Sequence, residues 1–241
     1  MSDNSAPPPL AAEVLDRLRL SSTATLTTQL FARGLRNTFL AGLVPLDREN
    51  ARLVGEAFTL RYIPAREDLD VLDVFRDPDH PQRRAVESVG PGQVLVMDCR
   101  GMARAASLGG ILATRLLRRG AAGIVTDGGL RDTQDIRGLG LPSFAAAPAA
   151  TTNLALHHAV DVQVPIGCAE VPVYPGDVIV GDEDGVVCIP RELAPEVADA
   201  AVEQEQLERF IAGEIDRGAA LPGTYPPGDS LLARYRASVE P

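Results

Sequence analysis

The stretch Gly123-Ile-Val-Thr-Asp-Gly-Gly-Leu-Arg-Asp132 runs a strand-like apolar pattern into two glycines and an adjacent arginine and aspartate. The guanidinium of Arg131 is a rigid fork that matches a carboxylate, and Asp132 offers the hard oxygen that magnesium or manganese prefers. Side by side, the two could hold a keto-acid and its metal, with the glycines letting backbone approach the ligand closely. By spacing alone, an ordinary surface ion pair beside a tight turn explains the pair equally well, and such a pair is worth little energy. A second candidate is Ser107-Leu-Gly-Gly-Ile-Leu112 at a helix start. Free N–H groups there attract a carboxylate or enolate oxygen, although Gly109 and Gly110 taken alone fit close helix packing better.

Asp98 and Asp127 each end a strand, where either could orient Arg131 from behind or cap the next turn. Gly181-Asp-Glu-Asp-Gly185 has the composition of a metal loop but not the twelve-residue spacing of an EF-hand, so it reads as an acidic turn between two strands. His80, His157 and His158 have no histidine or cysteine at zinc-partner spacing, which makes them structural or solvent-facing.

The elements that must position these residues are legible in outline. Ala11–Leu20 carries a helical apolar spacing, and a second helix capped by Ser22 or Thr23 runs through Leu26, Leu30 and Phe31 towards Gly34. Leu53–Ile63 reads as a strand, Val71–Phe75 as a short helical or extended piece, and Asp77–Pro81 as a loop. Strand Val94–Met97, helix Leu108–Arg119, strand Gly123–Thr126 and short helix Thr133–Leu139 then alternate, which implies a parallel unit with its chemistry at the carboxyl ends of the strands. Two segments echo each other, Pro91-Gly-Gln-Val-Leu-Val-Met-Asp98 and Pro175-Gly-Asp-Val-Ile-Val-Gly-Asp182, each a Pro-Gly turn entering a strand. Leu193–Arg217 is an amphipathic helix with a face of Val197, Ala201, Gln204, Leu207 and Ile211. These readings give a disordered leader over 1–9, a single domain over 10–220, and a proline- and glycine-rich tail over 221–241 that drapes over a surface.

Composition removes several mechanisms. All 23 basic side chains are arginine, so no lysine exists to form a Schiff base or complete a Walker-type phosphate loop. A formal charge of -10 argues against a nucleic-acid surface. Three scattered cysteines without a C-x-x-C pair fit a reducing compartment, read here as cytoplasm, and no stretch has the pattern of a signal peptide or a membrane span.

Taken together, the blocks Pro91–Val96, Val125–Asp132, Gly140-Leu-Pro and Pro175–Val186, with Gly110, twenty residues, Arg131-Asp132, two residues and Asp135, resemble the family joining the regulator of ribonuclease E activity A to the 4-hydroxy-4-methyl-2-oxoglutarate aldolases. The resemblance covers about Leu20 to Ile215. It implies a layered α/β/β/α sandwich like the swivelling phosphohistidine domain, assembled as a homotrimer or hexamer with sites near subunit boundaries. It further implies a lyase, an aldolase or decarboxylase, acting on a small 2-keto acid through a pyruvate enolate, with magnesium, or manganese as the alternative, as cofactor. Carried over, Arg131 binds the keto-acid carboxylate and steadies the enolate, Asp132 holds the metal, and the N–H groups of Ile111 and Leu112, beside Gly109 and Gly110, complete the substrate cradle. Asp98, Asp127 and Asp135 would stand behind them. The aldolase pattern has an acidic residue where this chain has Gly110, which implies a weakened water and proton relay that Asp135 would partly restore. Two alternatives remain: a non-catalytic inhibitor of ribonuclease E, and a hydratase or dehydratase of a keto-sugar acid.

Overall fold

The protein, described here over residues 9–239 by a computed structural model, is organised about one long strand. Helices α1 (Ala12–Leu18) and α2 (Thr23–Ala32) and the short strand β1 (Val44–Pro45) lead into β2 (Leu53–Pro64). A 3-10 turn at Leu72–Arg76 precedes α3 (Pro81–Ser88), then come β3 (Gln93–Asp98), β4 (Ala106–Leu108), α4 (Gly110–Arg118), β5 (Gly123–Leu130), α5 (Thr133–Gly138) and β6 (Ser143–Pro148). The chain continues through β7 (His157–Val162), β8 (Ile166–Cys168), β9 (Val171–Val173), β10 (Val178–Asp182) and β11 (Gly185–Ile189) to α6 (Ala194–Asp216) and α7 (Asp229–Val239).

β2 pairs in parallel with β3 and antiparallel with β10 and β7. From β3 the sheet runs through parallel β5 and β6, with β4 beside β5, and from β10 it runs to β11. Strands β8 and β9 form a separate hairpin. The segment before β2 reaches both far margins of the large sheet: Phe39 bridges Val187 of β11, while Val44 and Pro45 pair with Ala145 and Phe144 of β6. The result is a mixed α/β fold with a nearly closed, barrel-like sheet.

Strand alternation sorts side chains into three cores. Leu95 and Met97 of β3, with Phe58, Leu60 and Tyr62 of β2, face the cluster that α3, α4 and α5 cover. Val94 and Val96, one residue out of step, face the other side with Phe144, Ile179 and the β8–β9 hairpin. Val178 and Val180 of β10 meet Leu18, Leu26, Leu30 and Val197 from α1, α2 and α6. Burial on both faces explains why these strands read as continuous apolar runs. The echoed Pro-Gly segments become β3 and β10, two of the three strands that pair with β2, and both turn glycines, Gly92 and Gly176, have positive φ.

The structure modifies several expectations. The strand expected to stop at Thr126 continues to Leu130, so Gly128 and Gly129 lie inside β5 rather than beside a ligand. A Cβ on Gly128 would stand 2.7 Å from Cys99 Sγ, and one on Gly129 2.5 Å from Ala149 Cβ, so both are glycines because neighbouring chain packs against them. Residues 81–88 form a helix with Pro81 at its start, a position proline favours, where sequence periodicity gave no element. Ser22 caps α2 as expected, accepting from the Thr25 N–H, but Phe31 is left exposed. The tail carries a helix that composition did not suggest: α7 buries Leu231, and its Tyr235 ring lies 5.5 Å from Phe210 of α6. The acidic segment 181–185 is the turn of the β10–β11 hairpin, and Asp182 accepts from Thr23 N and Oγ1 at the start of α2. Of the leader expected over 1–9, residues 1–8 lie outside the described residues.

His157 is fully buried, with Nε2 3.2 Å from the Ala105 carbonyl and Nδ1 3.3 Å from an Arg100 guanidinium nitrogen. Arginine can only donate, so Nδ1 accepts and Nε2 carries the proton in a neutral ring. Burial, with Arg100 adding to it, pushes the His157 pKa down, so the unfolded chain binds this proton more readily. The contribution to stability is present above the ordinary histidine value and is lost as pH falls below about 6.5. We expect the stability advantage of the wild type over His157→Gln to shrink between pH 7.5 and pH 5.5, as read from urea midpoints at the two values.

Candidate active site

Two chain crossings build the site. Arg131 follows the last residue of β5, and its N–H donates to the Leu108 carbonyl of β4 at 3.2 Å, which locks the end of one strand beside the end of the other. The next residue, Asp132, turns the chain into α5 with φ 56 and ψ 40, a left-handed conformation that aspartate tolerates better than most side chains. That twist brings its carboxylate back over the start of α4. The Gly110 N–H donates to Asp132 Oδ2 at 3.0 Å, and Arg131 Nε lies 3.3 Å from the same oxygen. Oδ1 makes no hydrogen bond among the described residues.

The glycine pair is what permits this approach. A Cβ on Gly109 would stand 2.6 Å from Asp132 Oδ2 and 2.7 Å from Arg131 Cγ, closer than non-bonded atoms allow. A Cβ on Gly110 would meet those of Asp132 and Asp135 at 3.3 and 3.5 Å. An acidic side chain at 110 would therefore crowd two carboxylates in this arrangement. Gly110 gives its N–H to Asp132, and Asp135 occupies the adjoining space. The N–H groups of Ile111 and Leu112 fall in the first turn of α4, where a helix supplies no carbonyl partners for them.

A cavity of about 280 Å³ opens beside this pair, close to the size of small-ligand pockets. Gly109, Ile111, Leu112, Arg131 and Asp132 line one part of it beside Ala106 and Leu108 of β4, and Phe75, Gln82, Arg83, Thr152 and Asn153 line another. The second group was not among the candidates from sequence, since it comes from the 3-10 turn at Leu72–Arg76, from α3 and from the segment after β6, remote in the chain from Arg131. A larger hollow of about 470 Å³ lies at α2, lined by Thr23, Thr27, Thr28, Thr38 and Phe31, and includes none of the Arg-Asp site.

Asp98 and Asp127 hold loops. Asp98 accepts from the N–H groups of Arg100 and Gly167. Asp127 accepts from those of Cys99, Gly101 and Ala169. Neither is hydrogen-bonded to Arg131, whose side chain pairs with Asp132. Burial pushes the Asp127 carboxyl above its usual range, against the pull of its three backbone donors.

The Aldolase/RraA family model, described as RraA-like, matches residues 12–188. A curated relative from Thermus thermophilus, described as 4-hydroxy-4-methyl-2-oxoglutarate aldolase, is 37% identical over 143 residues, covering 58% of this chain and 77% of the relative. A crystal structure of an uncharacterised protein from Pseudomonas syringae pv. tomato superimposes with a TM-score of 0.80 at 28% identity, covering 93% of this chain and 98% of that one. Streptomyces coelicolor RraAS2, described as an unusual member of the RNase ES inhibitor RraA family, gives 0.75 at 32% identity, covering 85% and 98%. The chain belongs to the Aldolase/RraA family.

Because Gly109 is extended, with φ -132, the only obstacle to a side chain there is space. Gly109→Ala should displace the Arg131 and Asp132 side chains while leaving the fold intact. The expected outcome is loss of the Gly110 N–H bond to the Asp132 carboxylate in a crystal structure of the variant, with an unchanged far-ultraviolet dichroism spectrum.

Proposed function

We propose that the protein is a divalent-metal-dependent carbon–carbon lyase that cleaves a 2-keto acid through a pyruvate enolate, as an aldolase or decarboxylase. The observation that carries this reading is the convergence of Arg131, the Asp132 carboxylate and the first turn of α4 on one cavity, in a chain with no lysine for imine chemistry. Relatives described as aldolases support the lyase class.

Magnesium fits the donors. Asp132 has one oxygen without a hydrogen bond, and the described residues contain no group of three or more His, Cys, Asp or Glu that could cage an ion. A cation held by one carboxylate and otherwise by water and substrate is the habit of magnesium rather than zinc. When bound, it would supply a Lewis acid that draws electrons towards the 2-oxo oxygen.

The protein's own groups do the remaining work. Arg131 takes the carboxylate next to the 2-oxo group and faces the negative charge that grows as the carbon–carbon bond breaks. The N–H groups of Ile111 and Leu112 add donors and the positive end of the α4 dipole. Gly109 and Gly110 leave room for the Arg131 and Asp132 side chains to close over the start of α4. Asp135, in the first turn of α5, would help hold such a cation by ordering water beside Asp132.

A trimer or hexamer built from a layered α/β/β/α sandwich belongs to the same proposal. Its support is apolar surface beside the cavity: Ile111 is 86% exposed, and Leu72, in the same turn as Phe75, is 74% exposed. No helix among the described residues is long and apolar enough to cross a membrane. A second reading, protein-level inhibition of a ribonuclease, has its support in the description of the Streptomyces relative.

Pyruvate release from oxaloacetate and from 4-hydroxy-4-methyl-2-oxoglutarate tests the proposal. With magnesium we expect turnover that a chelator abolishes and that Asp132→Ala or Arg131→Ala lowers by about 10² or more. Turnover indifferent to chelator would sink the metal mechanism, and its absence with intact ribonuclease inhibition would favour the second reading. In a separate calorimetric titration, Asp135→Ala should weaken magnesium binding by roughly tenfold.

A further inference from the structure

We propose that Gln82 is a specificity-determining residue of the cavity beside Arg131 and Asp132: with Arg83 and Asn153 it forms a socket for one hydroxyl group, by which the site tells a substrate bearing that hydroxyl from one lacking it. The role rests on the lyase reading for what Arg131 and Asp132 hold, and it gives the far part of the cavity the choice between aldol cleavage and decarboxylation.

Gln82 is 2% exposed, yet it lines the cavity. Its Nε2 donates to the Ser107 carbonyl at 2.7 Å and to Tyr62 Oη at 3.1 Å, while Tyr62 Oη donates to the same carbonyl at 2.9 Å. A carbonyl can only accept, so the amide cannot be turned round without setting oxygen against oxygen. Both Nε2 hydrogens are thereby committed to β4 and β2, and Oε1 is the one polar atom of the side chain left over. It has no hydrogen-bond partner among the described residues. The cavity therefore meets Gln82 as an acceptor, anchored from behind by two strands.

Two unpartnered donors line the same cavity. Asn153 is 6% exposed, its Nδ2 has no partner, and its Oδ1 already accepts from Thr152 Oγ1 at 3.3 Å. Arg83 forms no ion pair among the described residues, and its Nε is buried without a hydrogen-bond partner. Its guanidinium carbon lies 4.7 Å from the centroid of the Phe75 ring, which steadies the flat fork on an aromatic face. Buried donors without partners are rare away from binding sites, because each has given up the hydrogen bond that water supplied.

The three groups together specify what fits. Two donors and one acceptor are the complement of a hydroxyl, which has two lone pairs and one hydrogen. A carboxylate or a carbonyl has no hydrogen for Gln82 Oε1, and an ammonium group would meet the charge of Arg83. Water has the same capacity as a hydroxyl, so a substrate without one leaves the socket to solvent and gains nothing from it. Oxaloacetate in its keto form has no hydroxyl, whereas 4-hydroxy-4-methyl-2-oxoglutarate carries one beyond its 2-oxo group. Arg131 meets the same carboxylate in both, and the socket separates them.

Steady-state turnover of these two keto acids in magnesium tests the socket. Gln82→Met, which keeps the length of the side chain and loses both amide atoms, should lower kcat/KM for the hydroxylated acid by about 10- to 100-fold more than for oxaloacetate. Asn153→Ala should do the same by about 3- to 10-fold. Tyr62→Phe, which loosens the clamp on Ser107 and spares Oε1, should lower both by one common factor. Equal losses for the two acids in Gln82→Met, or no loss, would overturn the role, since a purely structural glutamine has no means of telling them apart. Should Gln82→Met not fold, as read from its far-ultraviolet dichroism, Asn153→Ala carries the same decision. Failure of the lyase reading shows separately, as absence of turnover of either acid by the wild type. Wherever the wild type does not turn over the hydroxylated acid, the socket is read from calorimetric binding, in magnesium, of 4-hydroxy-4-methyl-2-oxoglutarate and 4-methyl-2-oxoglutarate, which differ by the one hydroxyl. A wild-type preference of about tenfold for the first, lost in Gln82→Met, keeps the socket, and equal binding of the two removes it.

Discussion

The constraint on which the site depends is the contact between the Gly110 N–H and the Asp132 carboxylate. It exists because two glycines leave no side chain at the point where the start of α4 meets the start of α5, and because Asp132 accepts a left-handed backbone. A residue other than Gly, Asn or Asp in that conformation costs of order 1 kcal/mol or more. The price is tolerated at the point where a carboxylate oxygen must face a cavity. The surrounding architecture serves the same end. Parallel β3, β5 and β6 bring helix starts to one end of the sheet, and the Arg131–Leu108 backbone bond sets β4 against the end of β5.

Much of this was legible in the amino-acid sequence, for identifiable reasons. The β3, β5 and β10 cores announce themselves because strands buried on both faces are continuously apolar. The Arg131-Asp132 pair is visible because functional groups adjacent in sequence at a strand end need no fold to be brought together. The α2 cap was legible because an N-cap bond spans only three residues. What escaped is what long-range contact decides. Gly128 and Gly129 looked like a ligand-facing turn, but their reason lies in Cys99 and Ala149, which reach them only through the sheet. Helix α3 hides because its buried face rests on polar Gln82 as well as Ala85 and Val86, giving no strong apolar stripe. Arg83 and Asn153 are 70 positions apart, and only the fold sets them on one cavity. Asp98 and Asp127 show an ambiguity that only the fold resolves. Acids at strand ends could support Arg131 or cap the next turn, and the structure turns both to the backbone of loops.

The electrostatics distribute by function. Many surface arginines stand beside an acid, as in Arg115 with Glu87 and Arg33 with Glu196, pairs of modest energy on an acidic surface. Arg191 and Glu56, by contrast, are an ion pair largely shielded from solvent, joining the β11–α6 connection to the central strand. Arg83, stacked on Phe75 without an acid beside it, departs from both patterns.

The segment from Phe39 to Pro45 has a consequence for how the protein behaves among its own copies. Open strand margins present ready templates on which another chain can extend a sheet, and they are a common origin of fibrillar association. Here a single short crossing occupies β11 at one end and β6 at the other, so one stretch of backbone shields both extremities of the large sheet. Contacts between copies are thereby directed to side-chain surfaces, whose composition can be tuned residue by residue, and away from backbone pairing, which discriminates poorly between partners.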